Sequence, residues 1–144
     1  MIDLPAAPVA ELVGFDLVEL GDGRASFELD PGERHYNPLG TVHGGIAATL
    51  LDSAMGVAVH TTLQEGETYT TLELKVNYVR AITQDTGPVV ATGSVIHRGG
   101  RVATAEARLT DADGRLLAHG TSTCLMLKGG PASGGDVRPP APPM

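Results

Sequence analysis

Two hydrophobic spacings divide the chain. From residue 45 to about 62, apolar positions recur at the helical period. At 100° per residue, Ile46, Val57, Leu50, Ala54, Ala47, Ala58, Leu51, Met55 and Ala48 fill one broad arc, leaving Thr49, Ser53, Gly56 and His60 in a narrow remainder. An arc that wide predicts a helix covered on most sides, the only long one in the chain. After Gly66 the period falls to two. Leu72, Leu74, Val76 and Tyr78 alternate with Glu73, Lys75 and Asn77, and Ala103, Ala105, Ala107 and Leu109 alternate with Thr104, Glu106 and Arg108. With "PVVATGSVIH" and "RLLAHGTSTCLMLK", set off by the turn signals "HRGGR" and "DADGR", these segments predict an antiparallel meander of four long, half-buried strands.

Upstream, "GFDLVEL" and "RASFELD" flank Gly-Asp-Gly at 21–23 and predict a hairpin, and "PAAPVAELV" before them predicts a short helical turn. The order is therefore hairpin, one buried helix, then four strands. A curled antiparallel sheet wrapped around one long central helix satisfies that order, because the sheet buries one face on a helix that is apolar nearly all round. The class is α+β. Residues 1–128 form one domain with no repeat, and 129–144, "GGPASGGDVRPPAPPM", is too rich in Gly and Pro to offset its ordering entropy and is expected to be a flexible tail.

Composition narrows the function. With 10 basic against 17 acidic residues, a net charge of -7 and 3% aromatics, no nucleic-acid footprint is expected, and an anionic ligand would need a local basic patch. The single cysteine, Cys124, allows no internal disulfide framework and is expected to be a small core residue in a reducing compartment, the cytoplasm. Neither the start "MIDLPAAPVAELVGF" nor any later run has the pattern of a leader or a membrane span. His35, His60, His97 and His119 are scattered, so no metal site is expected.

The chemistry concentrates around the helix. Between His35 and Gln64 the one residue of the Asp, Glu, Lys and Arg class is Asp52, amid Ala, Leu, Met and Val. A carboxylate there costs several kcal/mol in desolvation unless hydrogen bonds or a positive end compensate it. It is either solvated or bonded to Thr49 or Ser53 at the edge of the polar strip, or kept for chemistry. "HGG" at 43–45 begins the helix, where unpaired N–H groups of Gly44 and Gly45 could receive an oxygen; the alternative is an ordinary glycine-rich turn. His43 is expected to orient that turn. Eight residues separate Gly44 from Asp52, ~12 Å along a helix, too far to act on one reacting centre. If the two act together, a second subunit must bring its helix start to Asp52.

The stretch "NPLGTVHGGIAATLLDSAMG", with Asp52 nine residues after His43, resembles the hotdog-fold acyl-CoA thioesterases, particularly the phenylacetate-pathway (PaaI-type) and 4-hydroxybenzoyl-CoA thioesterase-like group, over roughly residues 9 to 128. The resemblance implies a hotdog fold, dimerised into a continuous double sheet, and hydrolysis of an acyl-CoA thioester in which CoA is part of the substrate and no cofactor is needed. It implies Asp52 as nucleophile or general base, a backbone N–H of Gly45 or Gly44 polarising the carbonyl, and Asn37 positioning the water or the thioester. Thr71 falls where related enzymes carry a water-contacting Ser or Thr, with Tyr69 and Thr70 leaving the register open.

Basic groups at strand ends suggest Arg80, Arg98 and Arg101, with Gly99 giving close backbone approach, for the CoA phosphates; solvated turn charges are the alternative. Asn77 and Tyr78 are expected to pack in the sheet. Small residues at Ala47, Ala48 and Gly56 could admit an aryl ring or a short to medium chain. At least a homodimer is expected, and a tetramer after it. The competing functions are an enoyl-thioester hydratase or dehydratase, which pairs a His with a carboxylate, and a non-catalytic acyl-CoA-binding domain.

Overall fold

The computed structural model describes residue 4 and residues 6–129, so the expected tail lies, after Gly129, outside the described residues. A short helix α1 (Pro8–Val13) leads into the hairpin β1 (Phe15–Gly21) and β2 (Arg24–Leu29), a long helix α2 (Gly44–His60), and strands β3 (Glu67–Tyr78), β4 (Val89–Arg98), β5 (Val102–Thr110) and β6 (Leu116–Lys128). The strands form one six-stranded antiparallel sheet wrapped on α2, the expected hotdog architecture. No helix is long and apolar enough to cross a membrane.

The strand order is β1-β2-β4-β5-β6-β3, which corrects one expectation. Only β4, β5 and β6 form a meander; β3 lies at the far edge, paired with β6. The cause is the helix. Its 17 residues, ~25 Å long at 1.5 Å each, carry the chain across the sheet before β3 begins. The return to β4 is tied down by Val42 N–H donating to the Ile82 carbonyl (2.8 Å) and Gln84 N–H donating to the Tyr36 hydroxyl (2.8 Å).

Leu50, Leu51, Ala54, Met55, Ala58 and Val59 of α2 are fully buried, and the sheet meets them with Ala25, Ala91, Ala103, Ala105 and Ala107. Small residues let the helix settle close. At Gly93 contact is backbone to backbone, since a Cβ there would lie 2.5 Å from the Ala54 carbonyl atoms and 2.7 Å from the Met55 nitrogen. Phe15 and Phe27 close one end of the core edge to face, centroids 5.5 Å apart. At the β5–β6 turn, the buried Asp111 carboxylate accepts the N–H groups of Asp113 (3.0 Å) and Arg115 (2.9 Å).

A β-bulge interrupts β3. Thr71 pairs with Cys124 and Glu73 with Thr123, so Leu72 has no partner and the alternation changes phase. Before the bulge Tyr69 and Thr71 oppose the buried Met126 and Cys124; after it Leu74, Val76 and Tyr78 oppose the buried Ser122, Gly120 and Ala118. The half-buried Leu72–Tyr78 face expected from period two is thus broken at its first residue. Leu72 is 58% exposed, and Tyr78, at the sheet's edge beyond the helix, 59%.

Gly93→Ala should destabilise the fold by about 1–3 kcal/mol, because the added methyl group meets helix backbone that cannot rotate away. Equilibrium denaturation measures it; a stability equal to wild type would mean that the helix does not sit this close in solution.

Candidate functional site

His43 caps α2. Its backbone is extended (φ -57°, ψ 133°), and its Nδ1 accepts the Gly45 N–H at 2.8 Å. The Ile46 N–H donates to the His43 carbonyl at 2.9 Å. Of the two glycines in "HGG", therefore, Gly44 alone keeps an N–H without a partner among the described residues. Tyr78 reaches this point instead of only packing in the sheet: its hydroxyl donates to the Gly44 carbonyl at 2.8 Å, and a Cβ on Gly44 would stand 3.0 Å from that oxygen.

The approach to the cap is braced by two side chains. Buried His35 accepts the Gly32 N–H at Nδ1 (3.0 Å) and, in that tautomer, donates from Nε2 to the Val13 carbonyl (2.7 Å), while its own carbonyl accepts the His43 N–H (2.8 Å). Asn37 is spent on the turn before the helix. Its Oδ1 accepts the N–H groups of Leu39 (2.9 Å) and Thr41 (3.3 Å), and its Nδ2 donates to the Thr41 hydroxyl (3.0 Å).

Asp52 lies at mid-helix, half-buried, and its Oδ1 accepts the Thr71 hydroxyl at 3.2 Å. This settles the local register: Thr71 faces Asp52, Thr70 is exposed, and Tyr69 lies over Gly56, where a Cβ would stand 2.6 Å from the phenol oxygen. Thr49 takes no part, since its hydroxyl donates to the Gly45 carbonyl at 2.8 Å. Behind Thr71, Cys124 Sγ is 4.0 Å from the threonine oxygen, and burial pushes the thiol's pKa up, away from thiolate chemistry.

Asp52 opens onto a cavity of about 370 Å³ walled by α1 and β1, where Ala10, Phe15, Phe27, Val57 and Tyr69 present mainly apolar surface. A second cavity, about 310 Å³, lies at the start of α2 and includes Gly44, Ala47, Tyr78 and Arg80. The two linings share no residue, and within one protomer Gly44 and Asp52 stay ~12 Å apart along the same helix.

Several expected residues fall elsewhere. Arg98 is half-buried: its Nη2 donates to buried Glu67 at 2.6 Å, its Nη1 to the Gly99 carbonyl, and its Nε is buried without a partner among the described residues. Gly99 closes the same tight turn, its N–H donating to the Val102 carbonyl at 2.9 Å. Both are thus engaged in the turn itself, whereas Arg80 and Arg101 are exposed. Gly56 is covered by Tyr69 and Ala47 lines the cavity at the helix start, so neither lines the cavity beside Asp52. That wall is made by α1, Phe15, Phe27 and Tyr69, of which the sequence raises Tyr69 alone, as an alternative to Thr71. A further trace is Gly56, a glycine one turn after Asp52 that Tyr69 covers.

Residues 39–118 match the family model described as the thioesterase superfamily. A 1,4-dihydroxy-2-naphthoyl-CoA hydrolase of Listeria monocytogenes is 27% identical over 118 residues, 82% of this chain and 94% of that one. Acyl-coenzyme A thioesterase 13 of Homo sapiens is 31% identical over 110 residues, 74% and 76% of the two chains. Among solved structures, the E. coli PaaI protein from the phenylacetic acid degradation operon superposes with a TM-score of 0.78 over 85% of this chain and 86% of that one; at 18% identity the likeness is one of fold.

Burial first, then the nearby Cys124 and Asp52, push the Tyr69 phenol from its ordinary 10.0 up to about 12. Above the ordinary value the unfolded chain loses this proton while the folded one keeps it, so stability falls as pH rises toward about 12. Denaturation at about pH 9 and pH 11 should therefore show a larger loss for wild type than for Tyr69→Phe; equal losses would remove Tyr69 from the cavity's buried wall.

Proposed function

The chain belongs to the thioesterase superfamily, and from that premise we propose that it hydrolyses acyl-CoA thioesters at sites built between two copies of itself. The observation that carries the proposal is Asp52, the one carboxylate in the helix, held by Thr71 at the mouth of an apolar cavity. The hydrogen bond from Thr71 holds Oδ1 and leaves Oδ2 without a partner among the described residues. In the second copy, the free N–H of Gly44 supplies the electrophilic half.

The chemistry needs nothing else. The thioester carbonyl oxygen accepts the Gly44 N–H, reinforced by the positive end of α2, and a preorganised donor of this kind is worth about 2.7–4 kcal/mol of barrier. Asp52 either takes a proton from water as that water attacks the carbonyl carbon, or attacks it directly to give a mixed anhydride that water then opens. Either way the C–S bond breaks, CoA leaves as thiolate and is protonated, and the acid is released. Gly44 takes the role rather than Gly45, whose N–H is engaged by His43. Asn37 acts through the turn it holds.

Pairing of two copies is supported by β3. It is a free edge of 12 residues, and its unpartnered backbone and exposed Leu72 invite a second strand. Arg80, exposed and lining the Gly44 cavity, and exposed Arg101 are the cations we assign to the CoA phosphates. A dimer is the minimal unit, and a tetramer is compatible with it. The single buried Cys124 fits a cytoplasmic setting. A hydratase is disfavoured because His43 spends Nδ1 on its own cap.

Asp52→Asn should fold normally and lose at least a thousandfold in kcat for release of CoA thiol, and Thr71→Val about tenfold. Asp52→Asn mixed and refolded with Gly44→Val should regain about a quarter of wild-type activity, since half the dimers are mixed and each holds one intact site. No recovery from mixing would mean that each subunit works alone, and undiminished turnover in Asp52→Asn would refute the proposed chemistry.

A further inference from the structure

Resting on that reading, we propose that the cavity walled by α1 receives the acyl group, and that it selects compact, uncharged acyl groups over those ending in a carboxylate. Position gives the occupant. A thioester whose carbonyl meets Asp52, with CoA approaching from the Gly44 side of the partner, must send its acyl tail away from the sulfur. The space behind Asp52 is this cavity.

Charge gives the selectivity. Among the described residues the lining contains two carboxylates, Asp52 and Asp16, and neither Lys nor Arg. A terminal carboxylate on the acyl group would be brought toward Asp16 and Asp52 while losing water to an apolar wall, with no cation in this described lining to receive it. Tyr69, neutral at physiological pH, offers a hydroxyl but no charge.

Size gives the limit. A volume of about 370 Å³ holds on the order of a dozen water-sized atoms at ~30 Å³ each, enough for an arylacetyl or medium straight chain. One wall is α1, where Ala10 is 5% exposed and the neighbouring Val9 45%. Buried His35 pins this helix by bonding the Val13 carbonyl at its end. α1 is therefore the ruler for acyl length.

The test is thiol release from acetyl-, octanoyl-, phenylacetyl- and adipyl-CoA by wild type, Ala10→Phe and Val9→Trp. Wild type should favour octanoyl- or phenylacetyl-CoA over adipyl-CoA by at least tenfold in kcat/KM. Filling the cavity with Ala10→Phe should lower the octanoyl-to-acetyl ratio by at least tenfold. Val9→Trp, at a half-exposed position that spares the core, should move the ratio in the same direction if Ala10→Phe fails to fold. Equal use of adipyl-CoA, or a folded variant with the wild-type length ratio, overturns the inference while leaving hydrolysis intact. Absence of thiol release from every thioester overturns the hydrolytic reading and the inference with it.

Discussion

At Gly93 the backbone of β4 meets the backbone of α2 with no side chain between them, and at this seat a Cβ would stand 2.5 Å from the Ala54 carbonyl. The alanines of β2, β4 and β5 extend the same close approach on either side. Because the helix is so deeply set, most of its surface is spent on packing, and only its first turn and the strip around Asp52 stay open. The two places where chemistry can occur are what the core leaves over.

That seat also decides how those two places relate. A straight helix puts residues 44 and 52 on one rigid rod, ~12 Å apart, and no adjustment of side chains can close the gap. Each end is finished separately. His43 takes the second glycine's N–H, so that one donor remains, and Thr71 reaches across from β3 to hold one oxygen of Asp52. A protomer thus presents the free Gly44 N–H and the Asp52 carboxylate to different cavities, and in the proposed mechanism a second copy completes each.

The helix, the hairpin and the strands were legible because each rests on local periodicity, and Asp52 and "HGG" because they break it. What could not be read depends on pairing across the chain. Nothing local says that β3 passes to the far edge, which follows from the distance the helix covers. Nor could the ion pair of Arg98 be read, because its partner, Glu67, lies 31 residues away and is brought to it only by the fold. Phe15 and α1 were invisible as cavity wall for the same reason. Tyr69 was hidden by the adjacent Thr70 and Thr71, three polar residues among which only the strand's phase could choose.

That phase is set by the bulge at Leu72, and the bulge links site to assembly. Without it, a strand that turns Thr71 toward Asp52 would also turn Glu73 and Lys75 toward the core side and send Leu74, Val76 and Tyr78 outward. The single unpaired residue lets β3 serve the carboxylate with its first half and the helix start with its second, where Tyr78 binds the Gly44 carbonyl. It also leaves Leu72 exposed on the open edge, next to the first of the two contacts. One irregularity in one strand therefore fixes the orientation of Thr71, the support of Gly44 and the exposed apolar point on the edge along which the proposed dimer would pair.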